Sequence, residues 1–113
     1  EAPTPPVQNA IESAVAWFGQ AQIAGMAVVE RPDSSLAAGF DVWVVEDPSA
    51  PPLWARFYDL DTQRPIFADR DGTIHADFAA MEYERRVGYR WLGTWPQRLL
   101  DHDYPQWRAR WDP

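Results

Sequence analysis

The chain contains no cysteine, which excludes disulfides and thiolate metal sites. It contains no lysine: all ten basic residues are arginine, so any anion site must be built from guanidinium groups. No apolar run reaches the roughly 18 residues that a membrane-spanning helix needs. The opening EAPTPP lacks a charged start followed by an apolar run, so a signal peptide is expected to be absent or already removed. The two histidines, His75 and His102, have no ligand-like partners in spacing, so neither is read as a metal ligand. No Gly-x-Ser-x-Gly turn surrounds Ser13, Ser34, Ser35 or Ser49, which argues against a serine triad. Composition neither excludes nor selects a carboxylate pair for glycoside hydrolysis. Basic charge is scarce overall. The net charge of −7 disfavours nonspecific binding to nucleic acid or to an acidic membrane.

What is abundant is tryptophan and proline, seven and eleven residues in a chain of 113. Prolines imply irregular connections, and tryptophans supply the bulk to pack them. The length suits one domain, 1–113, with a core burying roughly two thirds of the unfolded surface. Charge is uneven. Residues 1–53 carry one arginine against seven acids, whereas residues 54–113 carry nine against ten.

The informative stretch is Leu53 to Trp91. It holds six of the ten arginines, Arg56, Arg64, Arg70, Arg85, Arg86 and Arg90, interleaved with eight aromatic residues. Arginine forks bind carboxylates bidentately, and aromatic faces cover sugar rings, so the pattern suits an acidic, ring-shaped ligand. The same composition also fits a cross-linked surface.

In chain order, Thr4 followed by Pro5 and Pro6 predicts a helix start. Val7, Ala10, Ile11, Ala14, Val15 and Phe18 then mark one apolar face of a packing helix ending near Ile23. Met26–Glu30 and Phe40–Val45 read as strands able to pair. Leu53 to Tyr58 alternates, which places Trp54, Arg56 and Tyr58 on one side of a short strand. Asp71-Gly72 predicts a hairpin with Arg70 at or near its tip. Asp77 caps a short helix to about Val87, ended by Gly88, with Phe78, Met81 and Val87 as core positions. Trp95-Pro96 and Tyr104-Pro105 each open a further short helix. The expected class is α+β, short helices plus short irregular antiparallel strands.

Arg56 and Arg70 are the sharpest site candidates, and Arg64, held extended before Pro65, is the next. Trp54 and Tyr58 flank Arg56 at strand spacing. The other tryptophans are expected in the core. Arg85, Arg86 and Arg90 are expected on a solvated helix face, with Glu82 and Arg86 as an i,i+4 pair. The Asp59–Asp61 and Asp69–Asp71 runs lack EF-hand spacing and read as aspartate-capped turns.

Three segments carry a family resemblance: PPLWARFYDLDTQRPIFADRDG at 51–72, EYERRVGYRWLGTWPQRLL at 82–100, and AIESAVAWFGQAQIAGMAV at 10–28. With W-A-R-F-Y, R-P-I-F and R-D-G in this order, the chain resembles the C-terminal portion of the family 10 pectate lyases. The resemblance implies part of an incomplete α/α toroid with a long cleft. It implies cleavage of polygalacturonate by β-elimination, with calcium and carboxylate-holding arginines. The arginines of W-A-R-F-Y and R-D-G belong to that family's substrate site and fall on Arg56 and Arg70. The family's base, an arginine, and its main acidic calcium ligands lie upstream of the matched region. The resemblance also implies a secreted protein.

The expectation is therefore a non-catalytic module, without catalytic residues or a metal site of its own. It would bind pectate through Arg56, Arg70, Arg64, Tyr58 and Trp54, with calcium entering only through the bound uronan. The alternative is a fragment or subunit of an active lyase. A third reading is an interaction domain that pairs with itself or with a larger parent chain.

Overall fold

A computed structural model describes residues 1–111. Thr4 stands extended before two prolines, and its carbonyl accepts the Gln8 amide, so helix α1 runs Pro5–Ala21 as the pattern predicts. Strands β1 (Met26–Pro32) and β2 (Phe40–Glu46) pair antiparallel from Met26↔Glu46 to Pro32↔Phe40. The strand expected from Leu53 to Tyr58 is shorter. Only β3 (Trp54–Ala55) is regular, because the chain bends at Arg56. The hairpin at Asp71-Gly72 forms as β4 (Phe67–Ala68) against β5 (Ile74–His75). Gly72 takes φ +91°, the left-handed conformation that the turn demands.

Asp77 caps as expected, its side chain accepting the Ala79 amide. The helix it opens is interrupted. A 3-10 turn, Phe78–Ala80, breaks at Met81 and Glu82 before helix α2, Tyr83–Gly88. Strand β6 (Leu92–Gly93) returns to pair with β3, Trp54↔Gly93 and Ala55↔Leu92. The last two expected helices are one helical run instead. A π turn at Leu99–Asp103 leads into α3, Tyr104–Trp111. Pro105 lacks the N–H of a regular turn, and the wide turn before it accommodates the ring.

The mixed α+β class is observed, with three helices and three two-stranded antiparallel sheets among the described residues. The core lies where the sheets meet: Val42, Leu53, Trp54, Ala55, Phe67, Phe78, Met81, Trp91 and Leu92. Two of the three core positions expected around α2, Phe78 and Met81, are buried, and Val87 packs beside them.

Of the three arginines expected on a solvated face, Arg90 is exposed, whereas Arg85 and Arg86 are engaged by the body of the protein. Arg86 donates from Nη2 to both oxygens of Asp41 at 3.2 Å and from Nη1 to the Met81 carbonyl at 2.6 Å. Both partners are mostly buried, so the pair pins α2 to β2. Arg85 donates to the Ala68 carbonyl and lies over the Trp91 ring. Glu82 does not pair with Arg86. It stands before α2 and accepts the Arg70 amide.

Candidate functional site

Arg56 sits where the β3–β6 pairing ends. Its backbone amide donates to the Trp91 carbonyl at 2.8 Å, and its side-chain Nε donates to the Arg90 carbonyl at 3.2 Å. These two bonds fix the base of the side chain. The guanidinium carbon lies 4.6 Å from the Trp95 ring centre and 5.1 Å from that of Tyr89. No carboxylate pairs with it among the described residues. The two terminal nitrogens form an outward fork on an aromatic bed, the arrangement that takes a carboxylate bidentately.

That bed is anchored in the core by successive ring contacts. Phe78 meets Phe67 edge-on, Phe67 meets Trp91, and Trp91 meets Tyr89 at 4.8 Å. Exposed Phe57 stacks on Tyr89 at 6.3 Å. A cation supported through packed rings loses little freedom on binding.

Two grooves flank this point. One, of about 380 Å³, lies between the end of α1 and the start of the C-terminal helical run, lined by Trp17, Phe18, Tyr58, Arg56, Trp95 and Leu99 among others. The other, of about 650 Å³, lies beside the β1–β2 hairpin, with Arg90, Tyr89, Met26 and Glu30 in its walls. Arg56 touches a wall of each, Trp95 in the first and Tyr89 in the second.

The other candidates divide. Trp54 requires correction: it is 2% exposed, its indole N–H donates to the Phe18 carbonyl, and it has no face left for a sugar. Tyr58 walls the smaller groove, but its hydroxyl is already engaged. It donates to the Ala21 carbonyl and accepts the Ala55 amide, and burial pushes its phenol above the usual value. Arg70 is at the hairpin tip, as expected, and pairs with Glu84 at 3.2 Å. Both side chains of that pair are well exposed, so the pair is worth about 0–1 kcal/mol and an incoming carboxylate can replace Glu84. Arg64 is exposed, and among the described residues it has no ion-pair partner. Neither Arg64 nor Arg70 lines either groove, so the three arginines do not share one cavity.

The residues missed from sequence are Trp95, Tyr89 and Gly93. Their signal is the β3–β6 pairing, which no local pattern announces.

The acidic residues do not fit calcium. Asp59 accepts the Thr62 and Asp61 amides, which hold its carboxyl below the usual range. Asp71 accepts the Thr73 amide. Asp69 bonds His75 at 2.7 Å and the Glu82 amide at 2.9 Å. These are the aspartate-capped turns the sequence suggested, with oxygens of each carboxylate engaged by nearby amides or by His75. Among the described residues no three acids or histidines converge on one point.

The family model "Pectic acid lyase" matches residues 1–100, and the chain belongs to that family. The family 10 polysaccharide lyase from Cellvibrio cellulosa is similar in structure, with TM-score 0.69 and 35% identity, covering 91% of this chain and 30% of its own. A point mutant of that lyase in complex with trigalacturonic acid gives TM-score 0.70 and 34% identity, covering 94% and 31%. This chain therefore spans less than a third of the length of those solved relatives. Among curated proteins, none matches. No helix among the described residues is long and apolar enough to cross a membrane.

Proposed function

We propose that this chain binds pectate, an acidic uronan, as a non-catalytic module, with Arg56 holding a galacturonate carboxylate. The observation that carries the reading is the Arg56 fork: fixed at its base by a backbone carbonyl, supported by two rings, and free of any acidic partner among the described residues. A polymer fits this place better than a small molecule, since Arg56 touches a wall of each of two open grooves. Arg70 and Arg64 assist from outside the grooves on neighbouring uronate units, and Tyr58 shapes a wall. Trigalacturonic acid in a relative's complex supports the ligand class. Calcium enters only as a companion of the bound uronan. The setting is extracellular, as in pectin-degrading systems, and the body corresponds to the end of an incomplete α/α toroid.

Calorimetric titration with polygalacturonate tests this reading. Arg56→Ala is expected to weaken binding about tenfold or more, the value of a charge-assisted bond lost. Arg70→Ala should cost only a few-fold, and both effects should shrink with added salt. An affinity that Arg56→Ala leaves untouched overturns the proposal.

The alternative is a fragment or subunit of an active lyase, in which these arginines stabilise charge while a group elsewhere removes a proton beside the carboxylate. An ultraviolet assay for unsaturated product, with and without chelator, separates it from simple binding. The uncovered face of α1, where Val7 is 48% exposed, leaves room for a partner, either a second copy or the rest of a longer chain. Sedimentation over a range of concentrations distinguishes self-association from a monomer.

A further inference from the structure

Gly93 joins the sheet to the site. It pairs with Trp54, two residues before Arg56, in the β3–β6 ladder. A β-carbon at this position would lie 2.8 Å from Cε2 and Cζ2 of the Trp95 indole and 3.0 Å from its Cη2. The backbone of Gly93 is not in the left-handed region, so glycine is required here for space rather than for torsion. The Trp95 indole thus lies directly on the Gly93 backbone. Its neighbour Pro96 is buried, which holds Trp95 in place at its own Cα. The guanidinium of Arg56 then lies over the indole.

We propose that Gly93 and Trp95 are a positioning pair that fixes the direction of the Arg56 fork, and that Tyr89 completes the support. The inference rests on reading Arg56 as the carboxylate ligand. It adds that recognition of a uronate over a neutral sugar depends on two residues that need not touch the ligand. An arginine on an open surface samples many rotamers, and a fork must be aligned in plane with the carboxylate to make both bonds. Two rings beneath it remove that freedom before binding. A larger residue at 93 has one cheap escape. The half-exposed indole swings outward, so the fold survives and the ring leaves Arg56.

The test uses the whole chain in four single variants, Gly93→Ala, Trp95→Leu, Trp95→Phe and Arg56→Ala, and the double variant Arg56→Ala/Trp95→Leu. Two quantities are read: affinity for trigalacturonate by calorimetry, and the Nε–Hε resonance of Arg56 in the free protein. That resonance senses the ring current of the indole and would not follow a general loss of stability. Trp95→Leu and Gly93→Ala should move it toward the position of an unstacked arginine and weaken binding about fivefold. Trp95→Phe should recover most of both. In the Arg56→Ala background, Trp95→Leu should cost nothing further. An Arg56 resonance unmoved by Trp95→Leu overturns the positioning pair, as does an equal loss of affinity with and without Arg56. Unchanged binding in Arg56→Ala instead overturns the carboxylate reading, and the resonance tells the two failures apart. Trp95 is exposed, so Trp95→Leu tests the stacking with Gly93 left in place.

Discussion

Three side chains in the W-A-R-F-Y segment, Trp54, Arg56 and Tyr58, border the same groove, and so does Ala55, which alternation places on the other side. Burial then gives them different work. Trp54 is core, and its indole bonds the last turn of α1. Tyr58 ties Ala21 to Ala55 through one hydroxyl. Arg56 alone points a free polar group outward. Tyr58→Phe should therefore act on stability. It leaves a backbone donor and acceptor without a partner, at a cost of about 1–3 kcal/mol in unfolding free energy. The ring remains in the groove wall, so affinity for polygalacturonate should stay within about twofold. Chemical denaturation and calorimetry on the same preparation check both halves. A large loss of affinity with stability intact would place the hydroxyl on the ligand.

At the level of elements, legibility followed locality. Helix α1, the β1–β2 hairpin and the turn at Asp71-Gly72 are all encoded by residues within a few positions of one another, and all form. The β3–β6 pairing joins Trp54 to Gly93 across the whole central stretch, so periodicity cannot reveal it. Because that pairing carries Arg56 to Trp95 and Tyr89, the surroundings of Arg56 are hidden in the sequence, although Arg56 itself stands out there as a candidate. The Arg86–Asp41 pair was missed for the same reason: Asp41 lies on a distant strand, and an arginine in a helix with nearby glutamates looks solvated.

The Arg70 hairpin also carries a pH dependence. Asp69 is held below the ordinary carboxylate range, first by its bond from His75 and then by the Glu82 amide. A depressed carboxyl contributes stability that is complete above its unfolded value of about 3.9 and is lost as pH falls through the lower folded value. Acidification below about pH 4 should therefore release the hairpin from the start of α2. Amide resonances of Arg70 and Glu82 should shift together in that window, and Asp69→Asn should abolish the shift. Resonances that stay fixed to still lower pH would show the hairpin to be held by something else.

The whole molecule is long for its size. Its extents are 56 × 29 × 24 Å and its radius of gyration is 17.4 Å, against about 13 Å for a compact chain of this length. Every buried residue among those described lies between Asp41 and Pro96, and none lies in α1 or α3. The two ends are held by few ties. Trp17 donates to Gln63, Trp54 reaches Phe18, Tyr58 donates to Ala21, and Tyr104 joins α3 to Glu12 of α1. A helix without a buried face opens at little cost, whereas the central sheets open only with the core. Native-state hydrogen exchange should therefore find the Arg56 and Ala55 amides near the global limit, and the first two turns of α1 at least about a hundredfold less protected. Trp17 and Phe18 wall the smaller groove, so trigalacturonate should slow exchange in the last turn of α1 while leaving its first turn unchanged. Uniform protection across α1 and the core would mean that the ends fold with the centre. Protection gained at the first turn instead of the last would place the ligand elsewhere than beside Arg56.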